Sequence, residues 1–109
     1  MKLIIAYIRP ESLPNVKETL YAKEIYAMSV TNVLGAGQQR GYTGVYRGVL
    51  TEVNLLKKLR IEIALPDGKV EDAMDAITEG ARTQKEGDGV IFVLDILQSR
   101  RIRTGESLS

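Results

Sequence analysis

Just past its middle, the chain alternates apolar and polar residues with a period of two. The apolar positions are Leu59, Ile61, Ile63 and Leu65. Because successive side chains of a strand point to opposite faces, this segment predicts a strand with one buried face. Apolar runs of strand length also occupy residues 3–8, just before Pro10, and residues 90–97. A run rich in β-branched residues, 25–34, is closed by Gly35 and predicts a fourth strand.

Two other segments carry apolar residues at helical spacing. In the first, Ser12 is the expected N-cap and Pro14 lies in the first turn. Its apolar stripe comprises Leu13, Val16 and Leu20. The second follows the turn at residues 66–68 and ends near Gly80. Its apolar stripe comprises Val70, Ala73, Met74 and Ile77. Each stripe predicts a helix that packs one face against a sheet.

The order of these elements, β-α-β-β-α-β, is that of the ferredoxin-like pattern, a four-stranded antiparallel sheet with both helices on one face. We therefore predict an α+β fold and a single domain over residues 1–109. The last strand is apolar on both faces from Ile91 to Leu94, whereas the helices can cover only one face. A second copy of the chain is expected to cover the other face, so the pattern predicts a homo-oligomer.

A segment of about twenty residues between the second and third strands has neither a helical nor a strand period, which is typical of a functional loop. Its start, residues 35–41, misses the dinucleotide-binding fingerprint because the third glycine comes one residue late and no helix follows. Tyr42, Tyr46 and Arg47 are expected to contact a partner, since large amphipathic side chains on loops are typical contact anchors. Half of the ten glycines lie in this loop: Gly35, Gly37, Gly41, Gly44 and Gly48.

An anion site is predicted near the end of the chain. Gly87 and Gly89 flank Asp88 in a tight turn, and a residue without Cβ lets backbone N–H groups approach an anion closely. In extended chain, Arg101 and Arg103 point the same way, while the residue between them turns toward the interior. Such a fork suits a polyphosphate. Each half alone is more often a plain turn or a solvated basic tail, but together they favour a phosphate site.

Composition narrows the chemistry further. The 109 residues include no cysteine and no histidine, which excludes disulfides, thiol nucleophiles, Ser-His triads and the usual zinc and copper sites. Oxygen-ligated cations such as Mg²⁺ stay possible. A net charge of +1 gives no global attraction to nucleic acid or anionic lipid. No stretch could span a bilayer and no catalytic constellation is present, so we expect a cytoplasmic protein that is not an enzyme.

An RNA-recognition module shares the same element order and is the main alternative from another class. It would need aromatic residues on the sheet for base stacking. Phe92 is the only phenylalanine, the third strand carries Leu and Ile at its alternating positions, and the charge is balanced. The sequence therefore argues against nucleic-acid binding.

Several motifs occur together in a fixed order along the chain. They are Val30-Thr31, Gly35-Ala36-Gly37, Gly41-Tyr42-Thr43, Tyr46-Arg47-Gly48, Lys58 to Ile63, Thr83 to Gly89, Ile91-Phe92-Val93 and Arg101-Ile102-Arg103-Thr104-Gly105-Glu106. In these motifs, and over essentially its whole length, the chain resembles the PII signal-transduction proteins, the nitrogen regulators. The resemblance implies a homotrimer that binds ATP or ADP in clefts between subunits, with no permanently bound cofactor. It also implies that the long loop, the T-loop of the family, reaches out to partner proteins.

The resemblance further assigns residues to these roles. The residues that would bind the nucleotide are Ser29, Gly35, Gly37, Gln38, Gln39, Glu62, Ala64, Gly87, Asp88, Gly89, Arg101 and Arg103. Gln39 is similar to the residue that completes a magnesium shell shared with ATP and 2-oxoglutarate, and Gly41 and Lys58 would help to bind that effector. Tyr42, Tyr46 and Arg47 would contact an ammonium transporter or a metabolic enzyme, which would bring the protein to the membrane surface.

The chain also departs from the family pattern. Val90 and Gln38 stand where the family commonly has cations that face the phosphates. Losing one charge-assisted hydrogen bond costs about 1.5 to 3 kcal/mol, so ADP or AMP is expected to compete well with ATP. The alternative is therefore a divergent PII-like paralogue that senses ADP, AMP or another metabolite and regulates a different transporter or enzyme. Val49 and Thr51 replace the residues that relatives modify covalently, so the loop is expected to act unmodified.

Overall fold

The computed structural model describes residues 1–36, 42–46, 49–53 and 55–108, with the backbone alone at 42–46 and 49–53. The elements in chain order are β1 Lys2–Ile8, α1 Leu13–Ala22, β2 Ser29–Gly35, β3 Tyr42–Tyr46, β4 Val49–Val53, β5 Leu56–Leu65, α2 Val70–Ala81 and β6 Gly89–Asp95. In this part of the chain, no helix is long and apolar enough to cross a membrane.

The main sheet has the strand order β2-β5-β1-β6, and all its neighbouring strands are antiparallel. The central strand β1 places Ile5 opposite Glu62 of β5 and Phe92 of β6. The predicted ferredoxin-like α+β fold is thus confirmed, with the strands that begin and end the pattern side by side.

The core lies between the sheet and the two helices. It contains alternate residues of β1 and β5 and the inward stripes of both helices. The Thr19 hydroxyl of α1 donates a hydrogen bond to the Ala76 carbonyl of α2, 2.6 Å away. At Gly80, a Cβ would lie 2.6 Å from Cα of Val16, so the absence of a side chain there lets the helices approach closely.

The opposite face of the sheet is open in the chain itself. Phe92 and Leu94 of β6 lie on it, side by side with Ile5 and Leu3 of β1. Phe92 is 51% exposed and Leu94 is 45% exposed. Of the residues of β6, Ile91 packs against the core on the helix side. The other face remains uncovered in the single chain, so a second copy of the chain is still expected to cover it.

The start of β2 was predicted too early, at residue 25 instead of Ser29. Helix α1 ends in a Schellman motif: the N–H of Ile25 bonds to the Leu20 carbonyl and the N–H of Glu24 to the Tyr21 carbonyl. Glu24 has a positive φ of 61°. Ile25 is therefore buried because it covers the helix end, and not because it belongs to a strand.

Ser12 stands at the N-cap position of α1, as predicted, but its side chain forms no capping hydrogen bond; it closes a short 3₁₀ turn, Pro10–Ser12, and is buried. Two other local expectations were wrong. The loop predicted to lack strands contains the two-stranded antiparallel sheet of β3 and β4. A strand pair of this kind is stabilised by backbone hydrogen bonds between near neighbours, which an interrupted apolar pattern does not report. The last strand ends at Asp95 and not at residue 97.

Candidate functional site

A cavity of about 700 Å³ opens on the uncovered face of the sheet, at the end where β2 finishes and β5 begins. Residues two apart on one strand share a face, so Val90 and Phe92 of β6 lie beside Tyr7 of β1 along one wall. Most of the lining is apolar. The complete lining is Tyr7, Val33, Leu34, Gly35, Ala36, Leu56, Lys58, Glu86, Gly87, Gly89, Val90 and Phe92.

Four of the residues predicted to bind ligands meet in this cavity: Gly35, Lys58, Gly87 and Gly89. They come from three separate parts of the chain, and the antiparallel sheet brings them together. The Lys58 ammonium donates a hydrogen bond to the Gly87 carbonyl at 2.8 Å. The cavity therefore contains a cation that is already directed at the glycine-rich turn, where an anion could also reach it.

The segment from Thr83 to Gly89, called the glycine turn below, is held together by the Asp88 carboxylate. Its oxygen atoms accept hydrogen bonds from the backbone N–H groups of Thr83, at 2.7 Å, and Gln84, at 2.8 Å, and from the Thr83 hydroxyl. The hydrogen bonds from Thr83, aided by Gln84 and the nearby Arg9 guanidinium, lower the pKa of Asp88 to about 2. Asp88 lies outside the cavity lining, so its carboxylate organises the turn and does not face the cavity.

The glycine turn is also fixed to β1. Arg9, directly after that strand, donates a hydrogen bond from Nη2 to the Glu86 carbonyl, and its Nε lies 3.4 Å from Oδ1 of Asp88. At Gly89, φ is +124° and a Cβ would lie 1.8 Å from the Tyr7 carbonyl oxygen. Only glycine fits this approach, which sets the turn directly against the backbone of β1.

Ser29, Glu62 and Ala64 lie farther along the open sheet face and do not line the cavity. Ser29 is opposite Glu62 in the register of β2 and β5. The Glu62 carboxylate lies 3.1 Å from Nε of Arg60, and Nη1 of Arg60 lies 3.4 Å from the Tyr7 hydroxyl oxygen. A polar row thus continues from the cavity edge toward these predicted residues.

The arginine fork predicted in extended chain is wrong. The Gly105 N–H bonds to the Arg101 carbonyl and the Arg101 N–H to the Glu106 carbonyl, both at 2.8 Å, so the segment is a tight turn. Gly105 has a positive φ of 74°, which suits its place in such a turn. The residue between the two arginines, Ile102, is fully exposed instead of pointing inward. Arg101 and Arg103 are exposed and lie outside the cavity lining of their own chain.

The remaining predicted residues fall in the loop. Gly37, Gln38, Gln39, Gly41 and Arg47 lie outside the described residues. Tyr42 and Tyr46 begin and end β3, for which the backbone alone is described. Over the described part of the chain, no group of three acidic residues is placed to hold a metal ion.

Arg9 was not predicted to contact the glycine turn. Arg9 and Glu86 are 77 positions apart in the sequence, and no sequence motif around Arg9 indicates that the two residues are in contact. The one available signal was a charged residue at the end of an otherwise apolar strand.

Comparison with known proteins adds an independent finding. The family model described as "Nitrogen regulatory protein P-II" matches residues 1–106. A protein of that name from Cereibacter sphaeroides is 48% identical over 107 residues, which cover 98% of this chain and 96% of the relative. One from Rhodobacter capsulatus is 49% identical over the same coverage. "Nitrogen regulatory protein P-II 1" of Escherichia coli K12 is 47% identical over 106 residues, 97% of this chain and 95% of the relative.

Proposed function

The chain belongs to the nitrogen regulatory protein P-II family, and from that premise we propose that it senses ATP and ADP in clefts between the subunits of a homotrimer. Proteins of this family are signalling regulators of nitrogen control and not enzymes. The binding of nucleotide would change the conformation of the long loop between β2 and β5, and thereby the affinity for a partner protein.

The observation that carries the proposal is the cavity that joins the glycine turn to Lys58. Gly87 and Gly89 line the cavity and carry no side chain, which favours the approach of a phosphate to their backbone. The apolar wall formed by Tyr7, Val90 and Phe92 offers a surface for a flat ring beside it. A nucleotide combines these two chemical characters in one molecule.

A single chain supplies few cations to this cavity, which supports a cleft between subunits. Lys58 is the one Lys or Arg among the lining residues of the described chain. Arg101 and Arg103 are exposed on the tail of the same chain. In the proposed trimer they reach the phosphates of the nucleotide bound by the neighbouring subunit, with Gly35 and Gly37 beside the phosphates and Ser29, Glu62 and Ala64 toward the base and sugar.

We further propose 2-oxoglutarate as an effector that binds together with Mg²⁺ and ATP. Lys58 would pair with one of its carboxylates, because an ammonium that donates to the neutral Gly87 carbonyl gains from an anionic partner. Gln39 would complete the magnesium shell, and Gly41 would lie beside the effector. Mg²⁺ suits this arrangement since it keeps most of its ligands from water and phosphate oxygens.

Partner regulation is assigned to the loop through Tyr42, Tyr46 and Arg47. The partner class is an ammonium transporter or a metabolic enzyme. Arg47→Ala should abolish co-purification with that partner while nucleotide affinity stays unchanged, since Arg47 would lie at the contact and not in the cleft. A variant that retains the partner would contradict this assignment of Arg47.

A second candidate is a related sensor with a different ligand preference, and Val90 favours it. Val90 lines the cavity and brings no charge to it. A site with fewer cations discriminates less between triphosphate and monophosphate. ADP, AMP or another metabolite would then be the physiological signal.

Calorimetry with ATP, ADP and AMP, each with Mg²⁺ and with or without 2-oxoglutarate, tests the proposal. Mutual enhancement of ATP and 2-oxoglutarate binding supports the first candidate, whereas AMP or ADP binding that ignores 2-oxoglutarate supports the second. Arg101→Ala should weaken ATP binding, and Arg100→Ala is the matched control on the adjacent exposed arginine. The absence of binding by every nucleotide would overturn the proposed function.

A further inference from the structure

Two cations hold consecutive carbonyl groups of the glycine turn. Lys58, which lines the cavity, binds the Gly87 carbonyl. Arg9, which lies outside that lining, binds the Glu86 carbonyl. Lys58 lies in β5 and Arg9 directly after β1, and each holds one peptide unit of the turn. These hydrogen bonds therefore attach the turn to the sheet and also fix the orientation of two consecutive peptide units.

The peptide unit between Glu86 and Gly87 shows what Arg9 achieves. All described peptide bonds are trans, and in a planar trans unit the C=O and N–H groups point in opposite directions. Arg9 lies outside the cavity lining, so the N–H of Gly87 must point away from Arg9 while Arg9 holds the Glu86 carbonyl. Because both residues of this peptide unit line the cavity, a donor directed away from Arg9 can face the space where an anion would bind.

We propose that Arg9 is a positioning residue, which turns the Gly87 N–H toward the cavity, and that Asp88 acts by orienting Arg9 and the turn instead of contacting the ligand. The part that concerns ligand affinity rests on the proposed nucleotide site. The orientation of the peptide unit does not rest on it and can be measured in the free protein.

The contacts of Asp88 support a role in orienting Arg9 and the turn. Its carboxylate accepts hydrogen bonds from Thr83 and Gln84 inside the turn, and Oδ1 also lies 3.4 Å from Nε of Arg9. It borders a small cleft against α2, between Ile77 and Ala81, and not the large cavity. A carboxylate beside phosphates would repel them, whereas here the negative charge is matched to the guanidinium.

The test compares Arg9→Met, which keeps a long apolar stem but removes the donors, with Arg82→Met. Arg82 is an exposed arginine directly before Thr83, so its replacement removes the same charge close to the turn. The ¹H–¹⁵N signal and the hydrogen-exchange rate of Gly87 should change in Arg9→Met and stay unchanged in Arg82→Met. Arg9→Lys, which keeps a cation with a single donor centre, should restore the signal in part.

Nucleotide affinity is measured on the same variants. Arg9→Met and Asp88→Asn should each weaken ATP binding about tenfold, as expected when one hydrogen bond to the anion loses its alignment. The double variant should be no weaker than about the worse single variant, because both act through one peptide unit. A thermal unfolding midpoint close to that of the wild type confirms that each variant folds.

The possible results separate the orientation of the Gly87 peptide, the role of Arg9 in ligand binding and the proposed function. An unchanged Gly87 signal in Arg9→Met overturns the inference, whether or not nucleotide binds. A changed signal with unchanged ATP affinity overturns the role of Arg9 in ligand binding and leaves the proposed function intact. If the wild-type protein binds no nucleotide, the proposed function fails, and the orientation of the Gly87 peptide is still decided by its signal.

Discussion

Gly89 is the residue where the structure leaves the least room for change. Its φ of +124° is one that other residues rarely adopt, and an added Cβ would lie 1.8 Å from the Tyr7 carbonyl oxygen. Gly89→Ala should therefore lower the free energy of unfolding by about 3 kcal/mol or more, because the turn must move away from β1. Urea unfolding measures this change. Gly68→Ala, where nothing lies within 4 Å of the added Cβ, should change it by less than about 0.5 kcal/mol.

The Asp88 carboxylate gives a pH prediction with a definite sign. Its pKa is lowered from 3.8 to about 2 by the hydrogen bonds that it accepts in the folded state. A carboxyl group with a lowered folded pKa stabilises the fold when ionised, so its contribution is complete above pH 3.8 and is lost as the pH falls toward 2. The difference in unfolding free energy between the wild type and Asp88→Asn should shrink over this range. Thr83→Val should move the NMR titration of Asp88 back toward its ordinary value, and a difference that is constant down to pH 2 would refute the assignment.

Val90 tests where the phosphates lie. It lines the cavity beside Gly89, so the ammonium of Val90→Lys should favour ATP over AMP, since only the longer phosphate chain brings additional charge within reach. The ratio of the two affinities in calorimetry should rise about tenfold. Val30→Lys adds the same charge at an exposed position of β2 and should leave the ratio unchanged. An unchanged ratio in Val90→Lys would mean that the phosphates bind elsewhere.

At this scale, the sequence predicted part of the candidate site. Gly87 and Gly89 were predicted from the tight turn that they form, and Lys58 from the resemblance to the PII family; all three line one cavity. The contact of Arg9 with the glycine turn was not predicted, because it depends on the sheet register that sets β1 beside β6. Arg101 shows the converse: a spacing of two implies a common direction only in extended chain, and the tail turns instead.

Among the elements, the pairing of α1 with α2 depends on a glycine inside a helix. Gly80→Ala would stabilise most helices, because alanine has the higher helix propensity. Here the added Cβ would lie 2.6 Å from Cα of Val16, so the variant should lose about 1 to 3 kcal/mol of unfolding free energy. Chemical denaturation compares it with Glu79→Ala on the exposed neighbouring residue, for which a change within about 0.5 kcal/mol is expected. A more stable Gly80→Ala would show that the helices can separate without cost.

The existence and order of the main elements could be predicted because their apolar periods are regular. β5 alternates cleanly, and its residues from Leu59 to Leu65 alternate in burial as the pattern requires. The errors fall where apolar residues serve another purpose. Ile25 covers the end of α1, and its burial resembles that of a strand residue when only the sequence is read. The pairing of β3 with β4 was missed since local backbone bonding leaves little trace in side-chain pattern.

For the whole molecule, the open face of the sheet predicts assembly. Leu94 lies on that face beside Leu3 and is 45% exposed in the single chain. Light scattering of the wild type should give the mass of a trimer. Leu94→Glu should shift the mass toward that of a monomer, because burying an unpaired carboxylate between subunits is costly. Tyr21→Glu changes an exposed residue of α1 and should leave the mass unchanged. A wild-type monomer at micromolar concentration would exclude the proposed trimer.

In the proposed trimer, the same uncovered face also links the amount of protein in the cell to its stability. A sheet that other copies of the chain complete gains part of its stability by mass action, so its melting temperature should rise with protein concentration. Newly made chains at low abundance would spend longer with Phe92 and its neighbours exposed, within reach of proteases and chaperones. The expression level would thus determine, through assembly, how much of the protein escapes degradation, independently of any ligand.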